Sequence, residues 1–266
     1  MNAVKYIHKN PLAAVVQMKC IEGDLQANTA HLITMLEKMV NMHPQLSLIV
    51  FPEMILYGYA EFDRISTRYT QKDILNSLSN IAVCCQNYQC EVVIGAPYIK
   101  KNHIENALYF IDNGGFITYI YSKQHLINKE RAYFTAGKEL RLFPTVLGKT
   151  GFLICWDSVF PELARQYYQA GAEALIICAA WEKPYGNQWQ TVCRARSLDN
   201  SLPVLASNQT GHQLTYDFAG HSMICDRIGN PIHEMEAEEG YILSPVNKLL
   251  DRTCLLKFGS PVSDYP

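Results

Sequence analysis

The sequence lacks the features that mark several large functional classes. It contains no apolar run near the roughly 20 residues that a membrane-spanning helix needs. The 23 Lys and Arg residues nearly balance the 25 Asp and Glu residues, whereas a nucleic-acid-binding protein usually carries a strongly basic face. Neither G-x-G-x-x-G nor G-x-x-x-x-G-K-[ST] occurs, so no glycine-rich phosphate loop is indicated. We therefore expect no membrane, no nucleic acid and no nucleotide cofactor as a partner.

Metal-binding patterns are absent as well, although cysteine is frequent. None of the nine cysteines forms a C-x-x-C pair, and the eight histidines show no H-x-x-x-H spacing, so we expect no metal. The N-terminal segment shows no apolar block with a small-residue cleavage site. We therefore expect a reducing, cytoplasmic location rather than a disulfide framework. Most of the thiols should then behave as small core hydrophobes.

Strand and helix patterns alternate along most of the 266 residues. Apolar runs predict buried strands at residues 12–18, 46–51, 91–96, 150–155, 174–179 and 204–208. A helix capped by Asp24 is predicted to follow the first strand, and further helices are predicted at residues 72–88, 161–170 and 188–200. The Asn-Gly-Gly turn at residues 113–115 predicts a hairpin. Because no linker divides this pattern, we expect one domain with a mixed sheet system and helices packed outside.

Three polar side chains stand where an apolar strand ends. Glu53 follows Ile-Val-Phe-Pro, Lys123 follows the second hairpin strand, and Cys155 precedes a turn and a helix that begins near Pro161. Strand ends gather active-site residues in α/β proteins, and a strand–turn–helix junction exposes a nucleophile beside free backbone N–H groups. His125 is a rival partner for the thiol. We interpret it instead as an orienting or structural hydrogen-bonding residue.

The order and spacing of these segments resemble the carbon–nitrogen hydrolase (nitrilase) superfamily over nearly the whole chain. The matching strings are Ala-Val-Val-Gln-Met at residues 14–18, Phe-Pro-Glu at 51–53, Lys-x-His-Leu at 123–126, Glu-x-x-Tyr-Phe-x-x-Gly at 130–137 and Ile-Cys-Trp-Asp at 154–157. Phe-Pro-Glu at residues 160–162 resembles the amidase and N-carbamoylputrescine amidase-like branch. The resemblance implies an α/β fold, namely a four-layer αββα sandwich, with residues 1–266 as a single domain.

The resemblance also implies catalytic roles for four residues. Glu53 matches the position of the family's general base, and Cys155 matches that of its nucleophile. Lys123 matches the position of the lysine that stabilises the tetrahedral intermediate. Glu130 matches the position of the family's second glutamate, which would orient the substrate or hold Lys123 in place. The assignment suits the chemistry, because a neutral thiol is a poor attacker and needs a carboxylate to take its proton. The backbone N–H of Trp156 and the Lys123 ammonium are the natural donors to the oxyanion.

We therefore expect a hydrolase that cleaves a small amide or N-carbamoyl compound to an acid and ammonia or an amine, without a cofactor. A nitrilase and a non-catalytic binding member of the family are the alternatives. Trp156, Trp181 and Glu182 are predicted to bind the substrate, while Tyr185 and Trp189 are either pocket or core aromatics. The resemblance further implies a homodimer or a larger even homo-oligomer, with the tail of residues 251–266 extended against a partner subunit.

Overall fold

Two mixed β-sheets lie face to face at the centre of the protein, whose computed structural model describes residues 8–101, 103–253 and 255. In chain order the strands are β1 (Leu12–Gln17), β2 (Leu46–Val50), β3 (Glu91–Lys100), β4 (His103–Ile111), β5 (Ile117–Ser122), β6 (Phe143–Thr145), β7 (Gly148–Ile154), β8 (Ala174–Ala179), β9 (Val204–Asn208), β10 (Thr210–Gln213), β11 (Tyr216–Ala219), β12 (Met223–Cys225), β13 (Pro231–Glu234) and β14 (Gly240–Pro245). The α-helices are α1 (Leu25–Met42), α2 (Ile65–Arg68), α3 (Gln71–Tyr88), α4 (Pro161–Gln169), α5 (Gly186–Leu198) and α6 (Val246–Leu250).

Each sheet has three parallel strands at its centre, extended on both sides by antiparallel strands. The first sheet has the order β14-β1-β2-β3-β4-β5, and the second has the order β13-β12-β9-β8-β7-β6. The parallel strands are β1, β2 and β3 in the first sheet and β7, β8 and β9 in the second. A parallel bridge joins Met18 and Gln209, which directly follow β1 and β9. The carboxyl edges of the two parallel sets therefore meet, and this is the edge where α/β active sites form.

Helices cover the outer face of each sheet. Successive residues of β1 point to opposite sides, as strand geometry requires. Ala14 and Val16 pack in the core beneath α1 and α3, whereas Ala13 and Val15 pack in the core between the sheets. On the other side of the molecule, α4 and α5 pack against the second sheet, where α5 buries Trp189 completely. The predicted four-layer αββα architecture is confirmed.

Several element ends follow from local signals in the sequence. Asp24 accepts a hydrogen bond from the backbone N–H of Ala27 at 2.9 Å and so caps α1, as predicted. Helix α4 begins at Pro161, whose ring suits the first helical turn. The predicted hairpin joins β4 and β5, and Gly115 takes a φ of 82° in its turn, a conformation that glycine adopts without strain.

Some predictions concern residues that the structure does not describe. Of the tail at residues 251–266, only 251–253 and 255 are described, so its predicted packing on a partner subunit lies outside the described residues, as does Cys254. The other eight cysteines are unpaired, and all of these except Cys20 are buried. Within the described ranges, no helix is long and apolar enough to cross a membrane, and no group of three His, Cys, Asp or Glu side chains could hold a metal ion.

Candidate active site

The three strand-end residues predicted to act together lie in one buried cluster. Glu53 comes three residues after β2 and Lys123 directly after β5, both in the first sheet, while Cys155 directly follows β7 in the second sheet. The Lys123 ammonium contacts Glu53, and the thiol of Cys155 lies within electrostatic range of both. The side chains of Glu53 and Lys123 are fully buried, and Cys155 is 7% exposed. The face-to-face packing of the sheets therefore brings a thiol, a carboxylate and an ammonium group together.

Lys123 holds two carboxylates at once. Its Nζ atom lies 2.9 Å from Glu53 Oε1 and 2.7 Å from Glu130 Oε1, and all three side chains are removed from water. The Tyr59 hydroxyl donates a hydrogen bond to the same Glu130 oxygen at 2.7 Å. Two buried carboxylates would repel each other without a cation between them, so Lys123 is the electrostatic centre of the cluster.

Glu53 is fixed by hydrogen bonds from several elements. Asn106 of β4 donates to Oε1 at 2.6 Å, and the backbone N–H of Ala180, just after β8, donates to Oε2 at 2.7 Å. The Gln209 side chain donates to the Glu53 carbonyl oxygen at 2.7 Å. Gly95 of β3 packs directly behind this segment, because a Cβ atom there would lie 2.6 Å from the Glu53 Cα atom. The carboxylate is therefore held in one orientation by both sheets.

Glu130 lies in a short 3-10 helix, Glu130–Ala132, and its side chain is fully buried. Its Oε2 atom accepts a hydrogen bond from the backbone N–H of Ile127 at 2.9 Å, while its Oε1 atom faces Lys123. Of the two roles that the resemblance allowed, this geometry favours holding Lys123 in place over contact with a substrate.

Cys155 is held in a strained conformation at the junction between β7 and a 3-10 helix. Its φ angle is 49°, in the left-handed region that residues with a Cβ atom rarely adopt. The turn is secured because the Ser158 hydroxyl donates to the Cys155 carbonyl oxygen at 2.7 Å. Residues with such backbone strain often occur at functional sites, and here the strain occurs at the predicted nucleophile.

Asp157 connects the cysteine turn to the lysine segment. This fully buried carboxylate accepts hydrogen bonds from the Tyr121 hydroxyl at 2.8 Å and from the backbone N–H of His125 at 2.8 Å. The Nδ1 atom of His125 lies 3.0 Å from the same carboxylate, and its ring stacks on Phe160. These contacts agree with the interpretation of His125 as an orienting, structural residue.

Burial and nearby charges together raise the pKa values of Glu53, Lys123 and Cys155, but their separate effects differ from group to group. Loss of water raises the pKa of Glu53; Lys123 opposes this and Glu130 adds to it, so the pKa stays above its ordinary value. Burial lowers the pKa of Lys123, but the charges of Glu53 and Glu130 outweigh it and hold the pKa well above its usual range. Burial, followed by the charge of Glu53, raises the pKa of the Cys155 thiol. The resting site therefore holds a neutral thiol, an ammonium group and a carboxylate able to accept a proton.

A cavity of about 400 Å³ opens beside the thiol. Its wall is formed by Tyr59, Ile127, Cys155, Trp156, Ala180, Trp181, Glu182, Tyr185 and Gln188. The three residues predicted to bind substrate, Trp156, Trp181 and Glu182, all lie in this wall, and their contact with a substrate stays a prediction. Trp189 does not belong to it: its side chain is fully buried in the core, and its Nε1 atom donates to the His221 carbonyl oxygen at 2.8 Å.

Sequence reasoning missed two members of the cluster, Tyr59 and Asn106. Asn106 follows Glu105 in β4, directly before the apolar run from Ala107 to Ile111, and two adjacent buried polar residues inside a strand were a usable signal. Tyr59 lies in the loop after Glu53, where no periodic pattern applies. The role of Asp157 in joining the two segments was also missed, since it depends on the distance between the two sheets.

Comparisons with known proteins find similar sequences and a similar fold. A family model described as carbon-nitrogen hydrolase matches residues 12–249. The chain is 32% identical over 250 residues to a Schizosaccharomyces pombe protein named probable nitrilase, covering 92% of this chain and 91% of that protein. It is 31% identical over 222 residues to the 2-oxoglutaramate amidase of Bacillus subtilis, covering 82% and 83% of the two chains. Among solved structures, a carbon-nitrogen hydrolase from Helicobacter pylori G27 superposes with a TM-score of 0.85 at 23% identity, covering 96% of this chain and 95% of that one.

Proposed function

Because the chain belongs to the carbon–nitrogen hydrolase family, we propose that it is an amidase that hydrolyses a small amide or N-carbamoyl compound through a thioester on Cys155. The observation that carries the proposal is the buried contact of the Lys123 ammonium with Glu53 and Glu130, at 2.9 Å and 2.7 Å, beside a thiol that opens into a cavity. This arrangement supplies a general base, a cation that stabilises the oxyanion, and a nucleophile within one cluster.

The first half-reaction forms the thioester. Glu53 takes the proton of the Cys155 thiol as the sulfur attacks the amide carbon, and a C–S bond forms. The negative charge that develops on the carbonyl oxygen is stabilised by Lys123 and by the backbone N–H of Trp156. When the tetrahedral intermediate collapses, the C–N bond breaks, and the proton held by Glu53 passes to the nitrogen, which leaves as ammonia or an amine.

The second half-reaction consumes water. Glu53, now ionised again, takes a proton from a water molecule that attacks the thioester carbon. Collapse of the second tetrahedral intermediate breaks the C–S bond, releases the acid and returns the proton to the Cys155 sulfur. Glu130 does not exchange protons in this scheme; it holds the Lys123 ammonium in position through both half-reactions.

Ammonia release from a panel of amides, N-carbamoyl amines and nitriles tests the proposal. We expect the wild-type protein to release ammonia from at least one amide or carbamoyl compound and the Cys155→Ala variant to release none. Cys84→Ala is the matched control, because Cys84 is 6% exposed, close to the 7% of Cys155, but lies on α3. Full activity of Cys155→Ala refutes the thioester. Faster turnover of a nitrile than of the matching amide identifies a nitrilase instead.

Alkylation of the thiols separates an active site from a non-catalytic binding member of the family. In an active site, iodoacetamide should modify Cys155 faster than Cys84, because Glu53 can take the thiol proton as the sulfur reacts. Equal rates at the two similarly buried thiols favour a binding member.

Three further expectations remain part of the proposal. We propose that residues 1–266 form one domain, that the protein is cytoplasmic, and that it assembles as a homodimer or a larger even homo-oligomer. Light scattering at micromolar concentration tests the last of these, and a monomer contradicts it.

A further inference from the structure

The cavity beside Cys155 is lined mainly by aromatic and aliphatic side chains, with Glu182 and Gln188 as the exceptions beside the thiol. Trp156 and Trp181 form one side, with ring centroids 6.0 Å apart, and Tyr59 and Ile127 also line the wall. A charged group that entered such a wall would lose its water without gaining a partner, which is costly. The lining therefore favours an uncharged, apolar portion of the substrate.

Glu182 is the one acidic or basic residue among those that line the cavity, and its side chain is paired. Its Oε1 atom lies 3.1 Å from the Nζ atom of Lys129. Lys129 in turn lies over two aromatic rings, 3.4 Å from the centroid of Tyr216 and 4.9 Å from that of Tyr59. We call Lys129 and Glu182 the rim pair. Because the two charges cancel, the rim offers no net charge to an arriving substrate.

We propose that this cavity selects amides whose acyl group is uncharged and that the rim pair rejects amides carrying a distal carboxylate. The inference rests on the proposed function and specifies its substrate class. A carboxylate at the rim would face Glu182, and the Lys129 ammonium is already occupied. Deeper in the cavity it would approach Cys155, behind which the buried Glu53 and Glu130 carboxylates already share one lysine.

A single substitution in the rim pair is enough to change its net charge. Its two side chains are about one-third exposed, and such partly exposed ion pairs contribute little to stability. Removing Glu182 leaves the Lys129 ammonium in place over the two rings, where it can receive a carboxylate. Removing Lys129 leaves Glu182 free to receive an ammonium group. Each single change therefore converts a neutral rim into a charged one of known sign.

Three amides of matched length test the proposal: 5-methylhexanamide, whose isopropyl end replaces a carboxylate; glutaramate, which carries that carboxylate; and 5-aminopentanamide, which carries an ammonium group. We expect wild-type kcat/KM to be at least about tenfold higher for 5-methylhexanamide than for glutaramate. Glu182→Gln should raise the ratio of kcat/KM for glutaramate to that for 5-methylhexanamide. Lys129→Gln should raise the corresponding ratio for 5-aminopentanamide. Lys183→Gln, which removes an exposed neighbouring cation outside the cavity wall, should change neither ratio.

Glutaramate turnover equal to that of 5-methylhexanamide in the wild type overturns the inference, as does an unchanged ratio in Glu182→Gln. Binding to the Cys155→Ala variant, measured by titration calorimetry with the same three amides, separates the two proposals. If this variant binds 5-methylhexanamide more tightly than glutaramate while the wild type hydrolyses no amide, the selectivity holds and the proposed function fails.

Discussion

Replacing Lys123 by methionine tests the central electrostatic claim, because it removes the cation that Glu53 and Glu130 share. At 2.9 Å and 2.7 Å, and with an effective dielectric constant of about 20, each attraction is worth about 6 kcal/mol. The desolvation of the buried ammonium group offsets several kcal/mol of this. We therefore expect the free energy of unfolding to fall by about 3–5 kcal/mol near neutral pH, the range for removing one partner of a buried pair.

The loss should depend on pH in a definite direction. The pKa of Glu53 is already raised by burial, and it rises further when the lysine is absent. A carboxyl group with a raised pKa in the folded state contributes stability that is fully present below its unfolded pKa and is lost as the pH rises through its folded pKa. The deficit of Lys123→Met should therefore be largest near pH 8 and shrink toward pH 5, by up to about 1.4 kcal/mol per pH unit while Glu53 titrates.

Urea unfolding followed by tryptophan fluorescence, at one protein concentration and at two pH values, measures this deficit. Lys129→Met is the matched control, because Lys129 also contacts a carboxylate at 3.1 Å but is partly exposed. For that variant we expect a loss of at most about 1 kcal/mol. A deficit for Lys123→Met below that of the control, or one that is the same at both pH values, would refute the reasoning.

Three other variants probe the supports of the site. Asn106→Ala removes the donor 2.6 Å from Glu53 Oε1, so the pKa of Glu53 rises and the acid limb of the kcat/KM profile should move up by about one pH unit; an unmoved limb contradicts the role of Asn106. Gly95→Ala places a Cβ atom 2.6 Å from the Glu53 Cα atom, and the resulting displacement should lower kcat by up to about 100-fold, whereas Gly114→Ala in the β4–β5 turn should retain full kcat. Asp157→Asn presents an amide N–H to buried donors, and it should lower stability by about 1–3 kcal/mol, seen as a drop in thermal midpoint of several degrees; an unchanged midpoint shows that the carboxylate is dispensable.

Local chemistry was sufficient to predict the central strands and the longer helices. Asp24 caps α1 because its side chain reaches an N–H three residues away, and α4 begins at Pro161 because proline suits the first helical turn. Glu53, Lys123 and Cys155 could be singled out because each follows an apolar strand, and their motifs led to the family. All of these signals act within a few residues of the chain.

Contacts between distant segments could not be predicted in this way. The last strand, β14, pairs with the first, β1, and no local pattern specifies that partner. The sequence likewise predicted a thiol and a carboxylate but not Asn106, whose donor reaches Glu53 across neighbouring strands. Glu182 was identifiable as a pocket residue, whereas its pairing with Lys129 depends on how two loops pack.

The sequence by itself thus determined the strand–helix order, the reactive groups and the family, because periodicity, capping and motif spacing are written along the chain. The tertiary structure decided which oxygen each donor meets, that one lysine serves two carboxylates, and that the cavity rim is electrically neutral. The physical reason is that hydrogen bonding and burial depend on positions in space. Those positions were settled only when the two sheets packed together.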